Sequence, residues 1–241
     1  MPEQLWPLIL VVLLAGLVAS SVPFLVTFDP SRPEGLFVAL VSELGGIRDL
    51  EASLRLIWED QALPVEADFA WLRGEGAFRL EIKSPPELAG QIFTYQGGQL
   101  NHYLPKTERG PGVVVVDLEE LLSGELNGPL PGPRFDPHAL ITALRLGTLR
   151  ATESKGDTIR LEVTGQFPGL GPLRRLALEL APPQGGSGLL LERLVSLTLY
   201  LNGAQERRLK IDLAEVKIDQ GLTLHQIRRF PQPYDWVLPG G

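Results

Sequence analysis

Hydrophobic and polar positions alternate through most of this chain. Between Phe78 and Lys83, the apolar Phe78, Leu80 and Ile82 face one way and Arg79, Glu81 and Lys83 the other. That period of two predicts a strand with one buried and one wet face. Ser84-Pro85-Pro86 ends it, since neither proline has an N–H to give to a ladder. Residues 91–95 and 100–104 then flank Gly97-Gly98, which predicts a hairpin. Upstream, Val65, Ala67, Phe69 and Trp71 alternate with Glu66, Asp68 and Ala70. The four valines at 113–116 predict a strand buried on both faces.

Other stretches carry a longer period. Leu36, Leu40, Leu44, Ile47, Leu50, Leu54, Ile57 and Trp58 recur every three or four residues, predicting a helix over 36–61. Gly45-Gly46 breaks or kinks it, at a cost of about 2 kcal/mol relative to alanine. Residues 117–122 predict a short helix capped by Asp117, with Glu120 at the capping-box position. Residues 137–146 predict another, begun by Asp136 and Pro137. The proline- and glycine-rich stretch between these two is irregular.

Alternation returns after Thr148, in the groups Ile159/Leu161/Val163, Leu176/Leu178/Leu180, Val195/Leu197/Leu199/Leu201 and Leu209/Ile211/Leu213. Asn202-Gly203 is the strongest hairpin signal, Val216 and Ile218 suggest one more short strand, and a proline-rich tail follows from Pro231. This is an α+β chain, mainly antiparallel β, with about ten strands. So many strands must close, nearly close or pair as two sheets to hide their edges.

The amino terminus changes the setting. No charged residue occurs between Leu5 and Phe28, and residues 8–14 are wholly aliphatic. Residues 1–28 therefore read as a signal peptide or an N-terminal membrane anchor, with membrane contact through 5–28. Ala19 and Ser21 suit cleavage after Ser21, whereas Glu3 and the lack of Lys or Arg at the tip do not suit a leader. Residues 29–241 form the folded domain.

Composition removes most chemistry. With no cysteine, disulfides, thiol catalysis and thiolate metal sites are excluded. A net charge of −7 disfavours a nucleic-acid partner. His102, His138 and His225 are far apart with no acidic residue at ligand spacing, and His102 reads as a rim residue of its strand. No serine stands in a Gly-x-Ser-x-Gly elbow, Ser84 reads as a corner residue, and Glu119-Glu120 diverge on their helix. The expectation is a non-enzyme with no metal and no cofactor. What remains is one apolar sheet face, with Val65, Phe69, Trp71, Phe78, Leu80, Ile82, Phe93, Tyr95 and Tyr103 as candidate ligand-contacting residues. Either two sheets pack on each other or a cavity stays open for an apolar ligand.

Phe78-Arg79-Leu80-Glu81, Ser84-Pro85, Tyr95-x-Gly97-Gly98-x-Leu100 and Tyr103-x-Pro105 resemble the periplasmic outer-membrane lipoprotein carrier (LolA-like) family. The resemblance implies an incomplete, strongly curved β-barrel with an N-terminal helix, and with 117–122 and 137–146 as short lid helices. It implies an exported lipid- or lipoprotein-binding carrier whose cavity holds acyl chains. Its partners would be an inner-membrane release complex and an outer-membrane receptor. Arg73 and Arg79 are candidates by location for the arginine that locks the lid. The turn at Gln96-Gly97-Gly98-Gln99 departs from the family in lacking an aspartate. The alternative is a membrane-anchored envelope sensor or interaction domain that docks a protein on the same face.

Overall fold

The computed structural model describes residues 29, 31–59, 63–97, 99–107, 110–117, 142–167, 173–182, 189–201 and 207–237. The leader or anchor at 1–28 and the short helix at 117–122 lie outside these residues, apart from Asp117 itself. Of the helix expected over 137–146, residues 142–145 are helical and the preceding residues lie outside. Among the described residues no helix is long and apolar enough to cross a membrane.

Helix α1 spans Pro33–Gly46. Asp29 organises its entry by accepting from Ser31 N–H at 2.9 Å and Ser31 Oγ at 2.6 Å, and these bonds hold its carboxyl below the usual range. Pro33 suits the first turn because its missing N–H would have no partner there. Phe37, Val38, Leu40 and Val41 are buried, and Gly45-Gly46 ends the helix.

The chain that follows is a strand, β1 (Asp49–Trp58), and not the second half of a helix. The helical spacing of Leu50, Leu54, Ile57 and Trp58 competes with the alternation Leu50, Ala52, Leu54, Leu56, Trp58, and every residue of this second set is buried. After two helix-breaking glycines, pairing on both sides of β1 decides the contest.

The remaining strands are β2 (Val65–Leu72), β3 (Ala77–Ser84), β4 (Ile92–Gln96), β5 (Gln99–Leu104), β6 (Gly112–Asp117), β7 (Leu149–Lys155), β8 (Ile159–Gly165), β9 (Leu173–Leu180), β10 (Leu194–Leu201), β11 (Arg207–Ile218) and β12 (Asp235–Val237). They form one sheet in the order β12-β6-β5-β4-β3-β2-β1-β11-β10-β9-β8-β7. All pairs are antiparallel except β12 with β6. The expected strand over 209–213 and the one near Val216 are a single strand, β11, and the tail contributes β12.

Twelve strands laid flat would be about 50 Å wide. A fourteen-residue helix of about 21 Å cannot cover that width. Yet one core cluster holds Phe93 of β4, Leu56 of β1, Leu161 of β8 and Phe37 of α1 together. The sheet therefore curls on itself as an open, incomplete barrel, with its apolar face inward.

Two devices hold the barrel in shape. At the seam between β1 and β11, the Asp49 carboxylate is 2 % exposed and accepts from Gln220 N–H at 2.7 Å and Gly221 N–H at 3.0 Å. Asp219, at φ 55°, returns the bond by accepting from Arg48 N–H at 2.6 Å. On the outside, the short helix α2 (Leu224–Arg228) starts with a capping box between Thr223 and Gln226. It seats Ile227 against β2 and β3. Phe230 and Tyr234 follow over Ile92, Tyr103 and Val113, and β12 then lengthens the sheet beyond β6. The valine run in β6 is less buried than expected, because Val114 and Val115 are only half-buried at this end of the sheet.

Candidate functional site

Directly opposed residues in a ladder share a face, so register fixes which side chains line the inside. One inner row runs Leu100, Tyr95, Phe78, Trp71, Leu50 across β5, β4, β3, β2 and β1. The next runs Val114, His102, Phe93, Leu80, Phe69, Ala52. Ile82 with Ala67, and Val65 with Leu56, continue the same face. Eight of the nine residues named from sequence therefore meet on one wall: Val65, Phe69, Trp71, Phe78, Leu80, Ile82, Phe93 and Tyr95.

Tyr103 is the correction. It pairs with Ile92 and Val113 while its neighbour His102 pairs with Phe93, so Tyr103 faces outward. There it stacks on Phe230 at 5.7 Å, under the C-terminal strap. The alternation that identified the other eight assigns Tyr103 to the opposite side once His102 is placed, and its aromatic character obscured this.

The wall is an aromatic assembly. Phe78 stacks on Tyr95 with centroids 5.4 Å apart and meets Phe69 at 6.1 Å. Phe93 stacks on His102 at 4.0 Å. His102 thus belongs to the inner face rather than a rim, and its Nε2–H donates to Gln91 Oε1 at 2.9 Å. Burial holds its pKa down to about 4, so the ring is neutral at physiological pH. Trp71 is 1 % exposed and Phe78 likewise, whereas Phe69 and Tyr95 are half-buried and form the accessible margin of the wall. The indole N–H groups of Trp71 and Trp58, both on this face, have no hydrogen-bond partner among the described residues.

Helix α1 packs against β7 and the 3₁₀ turn Leu191–Arg193, where Glu43 Oε2 accepts from Leu191 N–H at 3.0 Å. It therefore fills the inside of the C-terminal half. β1 supplies Leu50, Ala52, Leu54 and Leu56 to the inner face, a contribution hidden by the helical reading of that stretch.

Arg73 and Arg79 have described partners of their own, while most of the two expected lid helices lies outside the described residues. Arg73 donates through Nη1 to the Gly45 carbonyl and so ties the β2–β3 turn to the end of α1. Arg79 lies on the outer face, bonded to Glu81 at 2.8 Å and to the Arg229 carbonyl. Around it, burial raises the Glu81 pKa, but hydrogen bonds from Lys83 and Arg79 outweigh burial and lower it overall. The Glu81 bond in turn raises Lys83. A half-open outer pocket of about 290 Å³ lies beside this network, lined by Glu51, Asp68, Arg79, Glu81, Glu215 and Lys217. Ala52, Ser53, Phe69 and Ala70 complete its lining, and its six ionisable side chains set it apart from the inner wall. Among the described residues no three His, Cys, Asp or Glu side chains form a metal-ligand set.

No protein-family model matches the sequence, and no curated protein matches it. Solved structures similar in shape exist. One is described as an uncharacterized conserved protein from Thermus thermophilus, with 14% identity and TM-score 0.49, covering 85% of this chain and 98% of that one. The lipoprotein LppX of Mycobacterium tuberculosis has 16% identity and TM-score 0.45, covering 82% and 100%. A LolA superfamily protein from Nitrosomonas europaea has 14% identity and TM-score 0.38, covering 75% and 89%.

Proposed function

We propose that this chain is a carrier in the cell envelope that holds acyl chains of a lipid or lipoprotein against the inner wall of β2–β5. The observation that carries this reading is the pair of aromatic rows on the concave face of an open barrel, with α1 packed on the other half. An acyl chain laid on such a wall gains about 0.8 kcal/mol per buried CH₂. Ten methylenes give roughly 8 kcal/mol before ordering costs, which is enough for reversible capture with no covalent chemistry. The uncharged stretch 5–28 supports an envelope setting, as a leader or as a tether.

The test uses the full chain. Gently purified protein is examined by native mass spectrometry, and binding of a fluorescent fatty-acid probe is titrated. The expected result is co-purified lipid, micromolar probe binding, and loss of at least tenfold in affinity for Tyr95→Asp. Tyr95 is suited to this because it is half-buried and its polar variant can fold. Lipid-free preparations that also ignore the probe would sink the carrier reading in favour of a protein-docking domain.

A further inference from the structure

The outer face of the C-terminal half carries a second pattern, independent of the inner wall. Register places Arg150, Thr164, Arg175, Tyr200 and Arg208 side by side in one row across β7, β8, β9, β10 and β11. Guanidinium and hydroxyl alternate strand by strand, so successive arginines sit about 10 Å apart. The Arg175 guanidinium lies 3.5 Å from the Tyr200 ring centroid, a contact that holds the cation flat against the sheet. Arg150 is exposed, and the side chains of Arg175 and Arg208 are 37% and 50% exposed.

Two arginines of this row have acidic neighbours, while Arg150 stands exposed at the end of the row. Glu162 stands 3.7 Å from Arg175 and 3.6 Å from Arg160, and Glu59 stands 4.0 Å from Arg208. These are long, solvent-exposed contacts of small energetic weight. The adjacent row, Thr152, Glu162, Ala177, Thr198 and Lys210, adds one cation and one carboxylate, and the next, Ser154, Arg160, Glu179, Ser196 and Asp212, adds one cation and two carboxylates, with Lys210 paired to Asp212 at 2.9 Å. The first row alone concentrates positive charge, with three guanidinium groups and no carboxylate, on a chain whose net charge is −7. Four residues before Arg150, Leu146 is 74% exposed in the turn that leads into β7.

We propose that this convex face docks on a membrane surface bearing anionic phospholipid headgroups. Arg150, Arg175 and Arg208 would engage phosphate oxygens, the Thr164 hydroxyl would add a donor, and Leu146 would dip into the interface. Guanidinium is the side chain best matched to phosphate oxygens. An exposed leucine four residues from Arg150 in the chain favours a lipid surface over a nucleic acid. The row's one aromatic ring is covered by Arg175 and offers no platform for stacking a base. This inference goes beyond the carrier reading and stands without it.

The full chain is floated with vesicles of phosphatidylcholine alone and with an equal mixture of phosphatidylcholine and phosphatidylglycerol. Residues 5–28 carry no charge, so any contact through them is common to both vesicles and the difference between the two reads the arginine row. An arginine near an anionic surface is worth about fivefold. The triple variant R150Q/R175Q/R208Q should therefore lose roughly a hundredfold of the phosphatidylglycerol preference. Salt near 0.5 M should remove the preference from the wild type, because the screening length then falls to about 4 Å. Arg55→Gln, on β1 opposite Asp212 and Glu66, should leave it unchanged. If the triple variant unfolds by circular dichroism, Arg150→Gln alone should still lose about fivefold. A wild type with no phosphatidylglycerol preference, a folded triple variant that keeps it, or tighter binding to a short RNA would each overturn the proposal.

Discussion

The two halves of this barrel share a strand geometry but are filled differently. Across β2–β5 the inner face is aromatic, with Phe69, Trp71, Phe78, Phe93, Tyr95 and His102 in adjoining rows. Across β7–β10 it is aliphatic, with Leu149, Ala151, Leu161, Val163, Leu176, Leu178 and Leu199. The helix α1 sits on the aliphatic side. Outside, the order is reversed: the C-terminal strap covers β2–β6, and the outer face of β7–β11 is polar. Small branched side chains interdigitate with a helix and make ordinary core. Large flat rings with few rotamers present a surface that a flexible chain can lie on. One half is built to be filled by the protein itself, and the other is the half proposed to be filled by ligand.

Truncating each half separates these roles. Phe78→Ala should cost about 4 kcal/mol of stability by urea unfolding and also weaken the acyl probe. Leu161→Ala, at an equally buried position, should cost about 3 kcal/mol and leave probe affinity per folded molecule unchanged. Equal loss of probe binding in the two variants would erase the distinction between the halves. The seam between them is the next target. Asp49→Ala strips the acceptor from the Gln220 and Gly221 N–H groups, which lie beside β1 in a part-buried setting. A loss of about 3 kcal/mol follows from the charge-assisted bonds and the orphaned donors. A loss below about 0.5 kcal/mol would mean that β1–β11 pairing alone holds the halves together.

Much of the aromatic wall was legible in the sequence because its strands alternate strictly, and alternation is the one pattern that register then converts into a shared face. Phe78, Leu80 and Ile82 show this most plainly. Three features were not legible, each for a physical reason. In β1, Leu50, Leu54 and Trp58 satisfy a period of 3.6 as well as a period of two, and only the partners β2 and β11 choose between them. Tyr103 has the chemistry of the inner wall but the parity of the outer face, and parity wins. The single curled sheet, as opposed to two packed sheets, depends on the β1–β11 pairing of segments about 160 residues apart, which no local pattern encodes.

His102 gives the finest test of the aromatic half, because it is the ring in the wall whose ordinary pKa lies near neutrality. Its folded pKa is depressed to about 4 by burial, against the ordinary value of 6.5. The unfolded chain therefore binds the proton more readily at any pH between those values. His102's stabilising contribution is complete above pH 6.5, declines as the pH falls toward 4, and changes no further below that. With allowance for the ring's partial exposure, the loss between pH 6.5 and 5 is about 1 kcal/mol. Other carboxylates titrate in the same range, so the informative quantity is the difference from His102→Phe. That variant keeps a ring on Phe93 and removes the proton site. Subtracting its stability curve from that of the wild type should leave a slope confined to pH 4–6.5. A flat difference would mean that the imidazole is solvated, and with it the margin of the wall at β4 and β5.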